Sequence, residues 1–379
     1  MSFKLFACGD IVNFGGRQDF VSQALKNLIT NCDISICNFE APIKTTAQSP
    51  INKAGPHIFQ SKESVRYLSD AGFNVVSLAN NHIYDYGEKG LRATLNELVI
   101  SKFSIVGGGR NFNDAYASQI IEKKGIKVGL LAACENEFGC LYEEKKGGGY
   151  AWLFHPLLED NIRILRSEVD VVILIAHAGV ENISFPIKEW RDRYKRLCDI
   201  GVDVIIGHHP HVPQGFERYK KSIIFYSLGN FYFDTAGYDR KQDDSYSVIL
   251  ELSAKGLVDF DIIYHKKILG QTCLVKKNEV DFSITELNNL LIDNYEKRND
   301  EMCVELFNAY YLSYYQNALG VLSQNATIVI RLKSLIRKYL LKDKLINRRN
   351  LLLLHNIRID SHRFVAQRAL SLVSEHCDV

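Results

Sequence analysis

The chain has 379 residues, 46% of them apolar and 24% charged, and its formal net charge is +2. This is enough for one large α/β domain and a smaller one, and the near balance of charge leaves no basic field that would recruit nucleic acid. No apolar run approaches the ~20 residues needed to span a bilayer. The nine cysteines are scattered without C-x-x-C pairs, and no signal-like segment precedes Phe3. A reducing, cytoplasmic setting is therefore expected, peripheral to the inner membrane face at most.

Phe3 to Cys8 reads as a first strand, with Gly9-Asp10 at its end. Gln18 to Thr30 is predicted helical, and Asp33 to Cys37 is a strand ending in Asn38-Phe39-Glu40. Pro42, Pro50 and Pro56 mark Ala41 to Phe59 as a long irregular loop, a type that often carries function. A helix over Glu63 to Ala71 precedes a strand over Asn74 to Ala79, which ends in Asn80-Asn81-His82. Leu91, Leu95 and Leu98 give Glu88 to Leu98 a helical period. Gln119 to Ala133 resembles a hairpin turning at Gly125, and Gly107-Gly108-Gly109 is a turn without the Lys-Ser/Thr pair of a phosphate loop. Glu143 to Gly149 reads as a mobile loop.

Leu157 to Glu168 is a predicted helix, and Asp170 to Ala176 an apolar strand running into His177. The helix Lys188 to Ile200 precedes the strand Val202 to Ile206, which delivers Gly207-His208-His209-Pro210-His211. Lys221 to Tyr226 closes on Ser227-Leu228-Gly229-Asn230. Tyr246 to Ser253 and Leu257 to Tyr264 alternate like antiparallel strands. From Ser283 the pattern turns helical, opening on the capping box Ser283-Ile284-Thr285-Glu286. Met302 to Leu319 carries Tyr310, Tyr311, Tyr314 and Tyr315 at helical spacing, a stripe read as packing surface.

The polar groups at the ends of apolar strands form a pattern. Asp10, Asn38, Glu40, Asn81, His82, His177, His209 and His211 all stand where parallel α/β sheets place their ligands, at C-terminal strand ends. The plain alternative, a polar turn with chance histidines, does not account for this recurrence. Carboxylate, amide and imidazole donors together suit Mn²⁺, Fe or Zn²⁺ better than Mg²⁺. Two such ions ~3.5–4 Å apart would need a bridging carboxylate and about this many ligands. His82, beside a ligand residue, fits a proton donor to a leaving oxygen.

With Gly9-Asp10 and Asn38-Phe39-Glu40-Ala41-Pro42, the motifs Asn80-Asn81-His82 through Asp85-Tyr86-Gly87, His177 through Glu181, Gly207 through His211 and Ser227 through Phe231 resemble the bacterial capsule-biosynthesis CapA family. The likeness runs from Phe3 to about Tyr264. It implies a four-layer α/β/β/α sandwich of the calcineurin-like metallophosphoesterase kind, which we place over residues 1–280, followed by the α-helical C-terminal region over 281–379 that the helical pattern from Ser283 predicts. It also implies a dinuclear site: Asp10 and His211 on one metal, Asn81, His177 and His209 on the other, Glu40 bridging, and His82 as acid. Two departures from the wider phosphoesterase pattern stand out. Val12 replaces the usual histidine of Asp-x-His, and Glu40 replaces the usual aspartate, so the first metal is a ligand short. The implied activity is metal-dependent hydrolysis of a phosphoester during synthesis of a surface glycan or poly-γ-glutamate. The alternative is a metal-holding, non-hydrolytic subunit of a capsular polymer synthase.

Residues around this set have plainer readings. His208 orients its neighbours rather than binding metal, and Asp85 caps the helix that begins near Gly87. Glu181 is either a support to His177 or a surface charge. Asn230 serves a turn or the substrate, and His57 is a loop residue. Eight basic residues and one acidic residue lie between Arg331 and Arg349. With Leu332, Leu335, Ile336, Tyr339, Leu340 and Ile346 they would make a basic amphipathic helix over Ile328 to Ile346. Such a helix suits an anionic membrane surface or a membrane-bound synthase, unless its apolar stripe packs on the main domain.

Overall fold

The structure is a computed structural model, and it describes residues 3–144, 147–234, 243–320 and 342–375. In chain order the strands are β1 (Phe3–Asn13), β2 (Ile34–Phe39), β3 (Val75–Ser77), β4 (Ser104–Val106), β5 (Gly108–Gly109), β6 (Gln119–Lys123), β7 (Ile126–Cys134), β8 (Cys140–Leu141) and β9 (Gly149–Ala151). They continue as β10 (Val171–His177), β11 (Val204–His208), β12 (Phe216–Tyr219), β13 (Ser222–Phe225), β14 (Asn230–Asp234), β15 (Ser245–Ser253), β16 (Gly256–Ile268) and β17 (Gln271–Leu274). One large sheet runs β17-β16-β15-β1-β2-β3-β4, with β14 also pairing β1, and the other runs β12-β13-β11-β10-β7-β6. A small third sheet joins β5, β9 and β8.

The two large sheets pack face to face, β1 against β11 and β4 against β6 and β7. Strands covered on both faces should be nearly all apolar, and of β1 only Lys4 is exposed while all of β10 is buried. On the outer faces, Pro156–Glu168 covers β7 and β10, while Gln23–Thr30 and Gly87–Ile100 lie against β17 and β4. Leu158, Ile162 and Leu165, one helical face, are the buried side of the first of these. The order helix, sheet, sheet, helix is the four-layer sandwich expected from the sequence.

The chain divides into two compact units, Met1–Ile51 with His57–Asp293, and Asn52–Pro56 with Asn294–Val379. The break thus comes after Asp293 rather than at residue 280, because Ile284 and Leu287 of the helix Ile284–Asn289 are buried in the large core. In the second unit the helix expected over Met302 to Leu319 is two helices, Tyr295–Leu306 and Leu312–Leu319, with a π-helical turn at Phe307–Tyr311 between them. Its tyrosine stripe is only partly packing surface. Tyr311 is buried with its ring 4.7 Å from that of His362, whereas Tyr310 and Tyr314 are exposed. Most of the basic segment Ile328 to Ile346 lies outside the described residues. Among those described, no helix is long and apolar enough to cross a membrane, and the eight cysteines are all free.

Candidate metal centre

The centre lies where the C-terminal edges of the two large sheets meet. In the first sheet Asp10 pairs with Asn38 of β2, and in the second His177 of β10 pairs with His208 of β11, so these strand ends stand level. β1 changes partner at this point. Its first half pairs antiparallel with β15 through Ala7, and from Asp10 onward it runs parallel to β14. The switch needs a close backbone approach: a Cβ on Gly9 would lie 1.8 Å from the Gly229 carbonyl oxygen. After β11, His209 (φ 97°) and His211 (φ 58°) take left-handed backbone conformations. Such conformations are uncommon for residues with a Cβ and cluster at functional sites. Here the turn brings the His211 imidazole to Asp10 of β1 and the His209 imidazole to His177 of β10, and the His209 N–H donates to Asp10 Oδ2 over 3.3 Å.

Two buried groups of ligand atoms result, Glu40 with His177 and His209, and Asp10 with Glu40 and His211. Around His177 Nε2 stand Asn81 Oδ1 at 3.1 Å, His209 Nδ1 at 3.2 Å and Glu40 Oε1 at 3.7 Å. The same Glu40 oxygen is 3.6 Å from His211 Nε2, and His211 Nδ1 is 3.5 Å from Asp10 Oδ2. Glu40 is shared by both groups. It is fully buried, yet neither carboxylate oxygen has a hydrogen-bond partner. A stranded buried carboxylate is costly unless a cation completes it, so the donor set fits two divalent ions. The Val12 position cannot add a ligand, since Val12 is buried in an apolar cluster with Ala41, Phe233 and Ile58.

The electrostatics point the same way. Burial, reinforced by Asp10, Glu181 and Glu137, pushes the Glu40 carboxyl well above its ordinary range. Burial also works against ionisation of Asp10. Its hydrogen bond with His211 and the nearby His208 and His177 outweigh that and hold it well below the usual carboxylate range. Burial pushes His177 far down and His209 down to about 4. Both imidazoles are therefore neutral, the form that binds metal.

The other predicted residues fall into place around this core. Asn38 donates to Asp10 Oδ1 over 2.8 Å, and its amide nitrogen lies 3.1 Å from His177 Nδ1. Asn230 Oδ1 is 3.0 Å from His211 Nδ1, while its amide donates to Asp243 over 3.2 Å. Asn230 opens a strand and is not in a turn. His208 faces away from the ligands, its Nε2 3.0 Å from the Cys8 carbonyl oxygen, and so ties one sheet to the other. Asp85 is not at the N-cap of the helix Gly87–Ile100, a position that Tyr86 takes. Instead its Oδ2 lies 2.8 Å from His82 Nδ1 and accepts the Ile58 N–H over 2.8 Å. Glu181 is exposed, yet its charge reaches Glu40 and His209. His57 Nε2 is 2.7 Å from the Ile51 carbonyl oxygen, a contact within its own loop.

Two residues at the site were missed in the sequence, Glu135 and Glu137, both buried just beyond the end of β7. The local hairpin with β6 hid them. β7 also runs parallel to β10, with Cys134 paired to His177, so the residues after it emerge at the same edge as the histidines. The apolar run Val128 to Ala133 with a carboxylate just beyond it was the available signal.

Residues 4–235, more than half of the chain, match the family described as "Bacterial capsule synthesis protein PGA_cap". The chain belongs to that family. Among PGA_cap relatives, the capsule biosynthesis protein CapA of Bacillus anthracis is 32% identical over 260 residues, covering 67% of this chain and 62% of the relative. The PGA biosynthesis protein CapA of Bacillus subtilis (strain 168) is 32% identical over 240 residues, covering 60% of each. The chain spans about three fifths of the length of these curated relatives. Among solved structures, a phosphatase of Mycoplasma pneumoniae aligns with a TM-score of 0.44 at 15% identity, over 76% of this chain and 99% of that one. A 5'-nucleotidase of Candida albicans SC5314 aligns with a TM-score of 0.43 at 13% identity, over 78% of this chain and 58% of that one. Likeness this distant says nothing about activity.

Proposed function

We propose that this PGA_cap chain is a metal-dependent hydrolase of a phosphoester met in making a capsular glycan or poly-γ-glutamate. The observation that carries this is Glu40, wholly buried, unpartnered, and shared between two groups of ligand atoms. Asp10, Glu40 and His211 would hold one ion, and Glu40, Asn81, His177 and His209 the other, with Mn²⁺, Fe or Zn²⁺ matching the donors. When bound, such a pair polarises a phosphoryl oxygen and supplies hydroxide near neutral pH. The chain itself contributes the proton for the leaving group. Asp85 engages Nδ1 of His82, which fixes the ring, and Nε2 would carry the proton to the leaving oxygen. The test is a panel of phosphoesters with Mn²⁺. Turnover should fall about 10²–10⁴-fold in His82→Ala while the metal stays bound. The loss should be larger for an alkyl phosphate than for a nitrophenyl ester, whose leaving group needs no proton. Equal losses on the two would remove the acid role.

One observation favours a second reading, a metal-holding assembly subunit without hydrolysis. Val12 puts a hydrocarbon where the phosphoesterase pattern has a histidine, and it is sealed among Ala41, Phe233 and Ile58. Tight metal binding with no turnover on any ester of the panel would select this reading.

A further inference from the structure

Reading the centre as a metal site assigns every ligand, but leaves open what holds two of those ligands in the orientation a cation needs. An imidazole can present either nitrogen, and a carboxamide can present its oxygen or its NH₂. Only one face of each binds a metal ion, so something must fix His209 and Asn81. The segment Glu135-Asn136-Glu137 stands against both. Glu135 is fully buried, its Oε1 accepts the Gly179 N–H over 3.1 Å, and the same oxygen lies 3.6 Å from His209 Nε2. That is the nitrogen opposite the one facing His177. Glu137, also buried, accepts the Asn81 NH₂ over 3.0 Å, which turns the Asn81 oxygen toward His177 Nε2. Its own N–H is fixed by donation to the Tyr150 hydroxyl over 2.9 Å.

We infer that Glu135 and Glu137 are the positioning residues of the ion held by Asn81, His177 and His209. Glu135 fixes His209 with Nδ1 toward the ion, and Glu137 fixes Asn81 with its oxygen toward the ion. Glu135 also joins the ends of three adjacent strands. It lies just past β7, its Gly179 partner just past β10, and its His209 neighbour just past β11. Carboxylates placed behind metal-bound imidazole raise ligand basicity and set the tautomer. The 3.6 Å separation from the neutral His209 ring is longer than a hydrogen bond, and contacts at such centres are often long before the ligand is engaged and tighten once it is. The other ion draws on Asp10 and His211, and His211 Nδ1 lies 3.0 Å from Asn230 Oδ1 and 3.5 Å from Asp10 Oδ2. The contacts of Glu135 and Glu137 given above are to ligands of one ion, Asn81 and His209.

This inference rests on the centre being a metal site, and the experiment separates the two. The full chain, stripped with chelator, is titrated with Mn²⁺ by calorimetry, and its folding is followed by near-ultraviolet circular dichroism. Glu135→Ala and Glu137→Ala should each weaken one of the two ions by about 10–100-fold and leave the other as in wild type. Glu135→Gln and Glu137→Gln should recover most of that loss, because a carboxamide oxygen accepts the same N–H. Glu135→Asp and Glu137→Asp keep the charge but draw it back by a methylene. They should lose affinity while folded, which covers the case where the alanine variants do not fold. A purely structural role would lower the melting temperature of the metal-free chain without singling out one ion. Folded alanine or aspartate variants that bind both ions as wild type does would overturn the inference while the metal reading stands. Glutamine variants as weak as His209→Ala would overturn it too, by making the carboxylates ligands. A wild-type chain that takes up no Mn²⁺ would end both.

Discussion

Glu40→Gln should reverse its effect on stability according to whether metal is present. Burial raises the Glu40 carboxyl above its ordinary value of 4.5, so the folded metal-free chain holds this proton more tightly than the unfolded chain. Folding then takes up a proton, and the stability this group contributes falls as pH rises above 4.5. The slope is about 1.4 kcal/mol per pH unit over the range in which the group titrates. Glutamine has nearly the same shape and no charge to bury, but its own unpartnered amide returns about 1–3 kcal/mol of that gain. The metal-free variant should therefore melt at or above the wild-type temperature at pH 8, where a buried carboxyl is most costly. With Mn²⁺ the order should invert. Each ion at 100 times its dissociation constant adds about 2.7 kcal/mol to a chain that binds it, and the variant has lost the shared ligand. The assay is thermal unfolding of chelator-treated protein at pH 8, with and without Mn²⁺. A variant that is less stable than wild type without metal, and still shows the full Mn²⁺ shift, would refute the account of Glu40 as an uncompensated shared ligand.

His265 is fully buried in β16 against the Phe231 ring, and burial pushes it down to about 3. It stays neutral when folded but protonates near 6.5 when unfolded, so the stability it contributes is intact above about 6.5 and lost as pH falls toward 3. His265→Leu should flatten the acid limb of a melting-temperature profile by about 1.4 kcal/mol per unit over that window, and an unchanged limb would count against it. Gly9→Ala places a Cβ against the Gly229 carbonyl, so we expect a loss of at least ~2 kcal/mol in denaturant unfolding together with loss of metal. A variant as stable as wild type would mean that β1 and β14 can separate. For the basic segment between Arg331 and Arg349, we propose docking on an anionic membrane surface. The chain should then sediment with anionic vesicles at low salt and be released at high salt, since each Lys or Arg adds ~1 kcal/mol near such a surface. Failure to sediment at any salt leaves the packing role.

The residues of the centre were legible in the sequence because burial and chemistry alternate so sharply there. An apolar run such as Val171 to Ala176 must be covered on both faces, and the first polar residue after it must emerge at the strand's C-terminal edge. Asp10, Asn38 and His177 are such residues, and Glu40, Asn81, His82, His209 and His211 follow within three positions of the first polar residue after their own strands, a pattern that needs no knowledge of which strand lies beside which. Whatever depended on long-range pairing was out of reach. Periodicity showed β7 as half of a hairpin with β6, but not that its other side pairs with β10, and so Glu135 and Glu137 went unseen. Nor could it show that β1 exchanges β15 for β14 at Asp10, which makes Asn230 the start of a strand. Spacing alone assigned Asp85 to the nearest helix end, whereas the fold gave its carboxylate to His82 and to the backbone of Ile58. The state of Glu40 was likewise decided only in three dimensions. A carboxylate in a sequence is presumed solvated, and only the closing of two sheets over it removes its water and leaves a cation as its natural partner.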